Sequence, residues 1–331
     1  MNVLIIGGTG IISSEVVKRC LEKNMSVTVM NRGKHNDELP QGVKVLVSDI
    51  NDEIKTKALL KNKSFDAVIQ FVAYHKKQVE RDINMFKDMT KQYIFISSAS
   101  AYQKPVQDYP ITEETPLINP YWDYSQHKID CEAYLNTVKD LPITIVRPSH
   151  TYNKKNIMAV MKKEGFPYAH LKRLIEGKPV IIPGDGTSVW TITHASDVSY
   201  SFVDLIGNEQ AYNETYHITG DKLYTWEQLT TILANALGVK PQFIHIPTDL
   251  IIKYLPEMVG PLLGDKAWSA IFDNAKIKAL SSNYRSTIGY EEVAKDVIAY
   301  YQQNKSLQIV DQDYEETYDK LIEDYMKILN H

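Results

Sequence analysis

Apolar residues in the first half of the chain gather in short β-branched runs: Val3 to Ile6, Val27 to Met30, Val43 to Val47, Ala67 to Val72, Tyr93 to Ile96 and Ile143 to Val146. Nearly every position in these runs is apolar, rather than every second one, so they read as strands of a sheet buried on both faces. Between them lie stretches such as Glu15 to Lys23, Val79 to Thr90 and Tyr124 to Val138, long enough to be crossover helices. Repeated strand–helix–strand units predict an α/β fold with a doubly wound parallel sheet of Rossmann type.

After about Pro148 the rhythm changes, and Gly165-Phe166-Pro167, Gly177-Lys178-Pro179 and Pro183-Gly184-Asp185-Gly186 punctuate shorter elements. Residues 1–150 are therefore expected to form the sheet domain. Residues 151–331 are expected to form mainly a smaller substrate-binding region, with a segment near 188–220 returning to the first domain. Helical patterns occur at Ser196 to Ile206, Thr225 to Leu237 and Tyr290 to Gln303, and the Tyr- and acid-rich tail from Asp311 to Asn330 predicts a surface helix. Thr225 followed by Gln228 predicts a capping box.

The bulk properties narrow the partners. With 331 residues, 44% hydrophobic content and a formal net charge of −4, the chain reads as an ordinary globular protein without the basic surface that nucleic acid requires. Cys20 and Cys131 each fall in a helical segment, so no disulfide framework is indicated and a reducing cytoplasm fits. The opening Met1-Asn2-Val3-Leu4-Ile5-Ile6 lacks the basic start and long apolar stretch of a secretory signal. No apolar run approaches the roughly 20 residues that span a bilayer, so no membrane role is expected. The nine histidines show no metal-binding spacing and no metal is expected.

Gly7-Gly8-Thr9-Gly10-Ile11-Ile12-Ser13 sits between the first strand and the first helix, where backbone N–H groups and a helix N-terminus meet a pyrophosphate. Gly7 supplies the tight turn and Gly10 the close approach. Ser13 occupies the third fingerprint position in place of Gly or Ala, which predicts slightly looser packing of helix on strand. At the end of the second strand, an acidic residue would hydrogen-bond the ribose of NAD; here Asn31 is followed by Arg32, which suits a 2′-phosphate and tilts the expectation to NADP, with NAD open.

Tyr124 and Lys128 are four apart on an expected helix and so share a face. An ordinary tyrosine titrates at about 10, and a neighbouring ammonium together with an oxidised nicotinamide favours the phenolate. Ser97-Ser98-Ala99-Ser100-Ala101-Tyr102 follows the fifth strand at the carboxyl edge, where ligands sit in an open α/β sheet.

Taken together these motifs resemble the extended short-chain dehydrogenases/reductases, the NAD-dependent epimerase/dehydratase group, over nearly the whole chain. The resemblance rests on Gly7 to Gly10, on Asp49 and Ile50 after the third strand, on Phe71-Val72-Ala73 after the fourth, and on the serine run. It rests also on Tyr124 with Lys128, on Arg147-Pro148-Ser149, on Thr193-His194-Ala195-Ser196-Asp197-Val198 and on Tyr216-His217-Ile218-Thr219-Gly220. It implies Ser98, Tyr124 and Lys128 as the catalytic triad. It implies a dinucleotide held by Gly7, Thr9, Gly10, Ile11, Ile12, Asn31, Arg32, Asp49, Ile50, Phe71, Val72, Ala73, Tyr124, Lys128, Pro148 and Ser149. Tyr124 would exchange a proton with a substrate hydroxyl or carbonyl, Lys128 would hydrogen-bond the ribose and lower the phenol's pKa, and Ser98 would orient the oxygen.

The sequence departs from nucleotide-sugar members at Trp190, where they carry a diphosphate-binding arginine, and at Gly260 to Lys266, where only Lys266 is cationic. Ser98, His150, Trp190 and Lys266 are the expected substrate contacts. With no acid beside Ser98, an epimerase or reductase acting on a small polar molecule is expected rather than a dehydratase. The competing expectation is a dinucleotide-sensing or RNA-associated regulator on the same fold. The helices at Val79 to Thr90 and Tyr124 to Val138 resemble subunit-pairing helices, which implies a homodimer.

Overall fold

The computed structural model describes residues 1–329. Its strands in chain order are β1 (Asn2–Ile6), β2 (Ser26–Asn31), β3 (Lys44–Val47), β4 (Ala67–Gln70), β5 (Tyr93–Ile96), β6 (Ile143–Pro148), β7 (His150–Tyr152), β8 (Val180–Pro183), β9 (Val189–His194), β10 (Glu214–Ile218), β11 (Leu223–Thr225) and β12 (Phe243–Ile246). Seven of them form one parallel sheet in the order β10-β6-β5-β4-β1-β2-β3. The six apolar runs are its first six strands, and β10 joins its edge beside β6. The chain winds outward in both directions from the β1–β4 pair. At such a switch point the connections leave the strand ends on opposite faces and open a crevice.

Four helices cover the sheet: α1 (Ile11–Glu22), α3 (Lys76–Phe86), α4 (Asp123–Leu135) and α6 (Ala195–Phe202), with α2 (Glu53–Leu60), α5 (Tyr168–Ile175) and α7 (Trp226–Leu237) elsewhere in the chain. Alternation along β1 divides the core. Val3 and Ile5 pack with Val16, Val17 and Cys20 of α1 and with Val198 and Phe202 of α6, whereas Leu4 and Ile6 pack with Val79, Ile83 and Phe86 of α3 and Cys131 and Leu135 of α4. Each such aliphatic side chain, fully withdrawn from water, contributes about 1.5–3 kcal/mol. The expectation of burial on both faces fails at the edge: Val45 and Val47 of β3, the sheet's last strand, are 38% and 47% exposed.

Past β6 the chain builds a second cluster around the parallel pair β8–β12, the β11-β9-β7 sheet, α5, α7 and the helices Tyr290–Gln303 and Gln312–Leu329. The predicted capping box opens α7: Gln228 N donates to Thr225 Oγ1 (3.1 Å) and Thr225 N to Gln228 Oε1 (2.8 Å). The tail helix is more than a surface element. Tyr314, Tyr318, Leu321 and Ile322 are buried, Ile181 N donates to the Tyr318 hydroxyl (2.6 Å), and Arg173 binds Glu315 and Asp319 (2.9 and 2.7 Å). Asn330, the end of the predicted tail, lies outside the described residues. Among the described residues no helix is long and apolar enough to cross a membrane.

Candidate active site

A cleft of about 850 Å³ opens at the carboxyl ends of the strands, where topology places it. Its floor is the turn from β1 into α1. Gly7 N donates to Met30 O (2.9 Å) and the residue adopts φ +84°, a left-handed conformation that a side chain disfavours. A Cβ there would overlap Val72 Cγ1 from the neighbouring β4 connection. The third fingerprint residue, Ser13, is fully buried. Its Oγ accepts the Gly10 N–H (2.8 Å), so the hydroxyl fastens the turn instead of merely loosening the packing.

Of the expected dinucleotide contacts, all but Ala73 line this cleft: Gly7, Thr9, Gly10, Ile11, Ile12, Asn31, Arg32, Asp49, Ile50, Phe71, Val72, Tyr124, Lys128, Pro148 and Ser149. Ala73 is buried behind it and presents its carbonyl to Lys128. The lining suits a polar, phosphate-bearing ligand. Asn31 accepts the Gly33 N–H (2.8 Å) while its Nδ2 is buried without a partner, and Ser97 Oγ is buried and unpartnered as well. Unpaired polar atoms are costly inside a fold and mark places where a ligand or water completes the bonding. Arg32 is exposed at the same rim and makes no ion pair among the described residues.

Helix α4 brings the phenol and the ammonium to the cleft one turn apart. Lys128 is 2% exposed, and Nζ donates to Ile96 O at the end of β5 and to Ala73 O after β4, both at 2.8 Å. Burial pulls its pKa down to about 8, with Cys131 and Glu132 resisting. Tyr124 lies beside Ser98 and Tyr74. Burial pushes its phenol up to about 12, the Ser98 hydroxyl opposes the rise, and Tyr74 and Asp265 add to it. Two of the Lys128 protons are committed to main-chain carbonyls. Of the serines after β5, Ser97 and Ser100 are buried and Ser98 alone keeps partial exposure to the cleft. A chain of hydroxyls supports it, Ser98 Oγ to Ser100 Oγ (2.9 Å) and Ser125 Oγ to Ser100 Oγ (2.8 Å).

The other expected substrate residues stand apart from this lining. His150 alternates with Ser149 and Thr151, which face the cleft, and its ring meets Trp190 and Trp226 at 5.6 and 6.4 Å. Trp190 is 3% exposed and donates from Nε1 to Trp268 O (3.0 Å). Lys266 is buried at the end of a π-helical turn, Leu262–Lys266. That turn is clasped to the rest of the site. Asn119 Nδ2 donates to Ser100 O and to Gly264 O, both at 2.7 Å, and Gly264 allows Trp122 to approach so closely that a Cβ would lie 2.7 Å from its Cβ.

Sequence reasoning missed several supporting groups. Gln70, at the end of β4, accepts the Val72 N–H (2.7 Å) and donates to buried Asp82, which also takes the Tyr93 hydroxyl (2.8 Å) and Arg81 (2.7 Å). A carboxylate on the apolar stripe of α3, between Val79 and Phe86, was the available signal. Asp197, in the His-x-x-Asp-Val segment, accepts the Thr287 and Ile288 N–H groups (2.8 and 2.9 Å) and so has a structural task. No cluster of His, Cys, Asp or Glu suited to a metal occurs among the described residues.

Comparison with known proteins agrees with this geometry. Residues 3–218 match the family described as NAD dependent epimerase/dehydratase. A chloroplast stem-loop binding protein of 41 kDa from Arabidopsis thaliana is 28% identical over 74% of this chain, which spans 65% of that relative's length. The 2′-dehydrokanamycin reductase of Streptomyces kanamyceticus is 23% identical over 89% of this chain and 83% of its own. In structure, the Bordetella bronchiseptica enzyme WbmH, solved in complex with NAD+, superimposes with a TM-score of 0.70 at 15% identity, covering 91% of this chain and 98% of the other.

Proposed function

The chain belongs to the NAD dependent epimerase/dehydratase family, and from that premise we propose an NAD(P)-dependent epimerase or reductase of the extended short-chain dehydrogenase type. Its substrate is a small polar, sugar-like molecule that reacts at a hydroxyl or carbonyl. The observation that carries this reading is the convergence of Ser98, Tyr124 and Lys128 on the cleft that begins at the Gly7 turn. The reductase and WbmH, by the names they carry, point the same way.

The glycine turn and the N-terminus of α1 receive the pyrophosphate, and Asp49 and Ile50 flank the adenine end. Arg32, exposed and without an ionic partner among the described residues at the end of β2, favours the 2′-phosphate of NADP. When bound, the nicotinamide supplies hydride exchange. Tyr124 Oη gives a proton to the substrate oxygen during reduction and takes it back during oxidation. Ser98 Oγ holds that oxygen against the phenol. Lys128 keeps a third N–H, beyond its two carbonyl bonds, for ribose hydroxyls. Its positive charge favours the phenolate once the proton has left. We read α3 and α4 as the helices that pair two subunits, in a cytoplasmic homodimer.

The test has two measurements. Nucleotide released from the purified protein is identified by absorbance and mass, and NAD and NADP are then titrated; tightly retained NAD marks an epimerase and exchangeable NADPH a reductase. Tyr124→Phe should lower hydride transfer by at least about a hundredfold while dinucleotide affinity stays within a factor of about three. Unchanged turnover removes Tyr124 from its role.

A second reading takes its support from the stem-loop binding relative: a regulator that binds RNA on this fold. Filter binding of a stem-loop RNA across salt concentrations tests it, since contact with phosphates gives steep salt dependence. The formal charge of −4 and the intact triad weigh against it.

A further inference from the structure

The segment that leads from β4 into α3 is pinned by hydrogen bonds. Val72 N donates to Gln70 Oε1 (2.7 Å), Tyr74 N and His75 N both donate to Gln78 Oε1 (2.7 and 3.0 Å), and the Ala73 carbonyl accepts from Lys128 Nζ (2.8 Å). Tyr74 is thus carried into the cleft on a fixed backbone. It lines the cleft together with Ser98, Tyr124 and Lys128, and 44% of it remains exposed.

Its ring meets both the ammonium and the phenol. Lys128 Nζ lies over the Tyr74 ring at 4.7 Å from the centroid, and the Tyr74 and Tyr124 rings stand 6.4 Å apart at 48°. Phe95 of β5, wholly buried, presents a second ring to the same ammonium at 4.8 Å. The face of an aromatic ring is electron-rich and attracts a cation, most strongly where water is excluded. Lys128 is 2% exposed, so burial favours its neutral amine, while the two rings and the two carbonyls favour the ion. The ionisable groups around it are largely committed elsewhere. Cys131 and Glu132 on its own helix also favour the charge, but Glu132 is engaged by Arg147 of β6 (2.6 Å). Asp82 of α3 is engaged by Arg81 (2.7 Å) and by Tyr93 of β5 (2.8 Å), and the His127 ring lies against that of His75 at the start of α3 (4.3 Å).

Resting on the reading that Tyr124 and Lys128 work as a pair, we propose that Tyr74 is a positioning residue of the reaction: the face of its ring holds the Lys128 ammonium in its charged form beside the phenol. Of the groups that surround the ammonium, only Tyr74 is exposed, 44% against 0% for Phe95 and Ala73 and 6% for Ile96. It is the part of the cage that can be exchanged without opening the core. The ring faces the charge, so phenylalanine serves as well as tyrosine there. Leucine keeps water away with a side chain of comparable bulk but lacks the π-face, and so does not serve.

The experiment is a pH titration, followed by NMR, of protein labelled with carbon-13 at the lysine ε-carbons, the Lys128 signal being assigned by its loss in Lys128→Met. In the parent the signal should titrate at about 8. Tyr74→Phe should leave it within about 0.2 pH units, whereas Tyr74→Leu should lower it by about 0.5 to 1.5 pH units, the size of a cation–π contact shielded from water. A ring-fluorinated phenylalanine in place of Tyr74 keeps the shape and withdraws the negative charge of the face, and should lower the titration as well. A Lys128 signal unmoved or raised in both the Tyr74→Leu and the fluorinated protein overturns the proposal, as does one lowered equally by Tyr74→Phe. The signal is read without substrate or turnover, so two failures are told apart. Unchanged turnover in Tyr124→Phe strikes the enzyme reading itself; an unmoved ammonium in a protein that Tyr124→Phe inactivates strikes only the role of Tyr74.

Discussion

Replacing Gly7 by alanine tests the geometry on which the cleft depends. Two separate costs arise from one methyl group. The residue sits at φ +84°, where an L side chain crowds its own carbonyl, at roughly 1–2 kcal/mol. The methyl also overlaps Val72 Cγ1 and approaches Val72 Cβ and Phe71 Cβ to 3.5 and 3.6 Å; such overpacking costs about 1–3 kcal/mol. The sum is about 2–5 kcal/mol, divided between global stability and displacement of the turn, and the displacement appears as lost dinucleotide affinity. Urea unfolding followed by tryptophan fluorescence measures the first part, and titration with NADPH the second. Adding Val72→Ala separates the causes. The double variant should recover about 1–3 kcal/mol relative to additivity, because the overlap vanishes while the backbone strain stays. A Gly7→Ala protein within about 0.5 kcal/mol of the parent in both assays would refute the argument, as would a strictly additive double variant.

Two further outcomes follow from buried titratable groups. Tyr124, pushed up to about 12, remains protonated across neutral pH, so carbonyl reduction should be flat from acid to neutral pH. It should fall as pH rises through about 8, where Lys128 loses its proton; oxidation, which needs the phenolate, should instead rise with pH below that point. A reduction rate that climbs between pH 7 and 9 would contradict both assignments. Glu132→Ala should destabilise the fold by about 3–5 kcal/mol in urea unfolding, because it strands Arg147, whose Nη2 lies 2.6 Å from the buried carboxylate.

Much of this was legible in the sequence because the relevant signals are local. Runs such as Val3 to Ile6 could only be buried strands, and Tyr124 and Lys128 share a helix face at any helical geometry. The glycine turn carried its strand before it and its helix after it. What escaped was long-range. Nothing near Asp82 announces that Gln70 and Tyr93 will surround it. Tyr314, Tyr318, Leu321 and Ile322 do repeat at helical spacing, but the acids among them obscured a face that docks on β8. The exposure of β3 depended on its place at the sheet edge, which strand order decides and composition does not.

Asn119 has a consequence for anyone altering specificity. One amide spans two carbonyls, Ser100 in the serine segment after β5 and Gly264 in the turn that ends at Lys266. Grafting a foreign loop over Leu262–Lys266 would therefore shift the serine segment as well, and a transplanted recognition element would arrive with altered chemistry unless its own counterpart of that amide came with it.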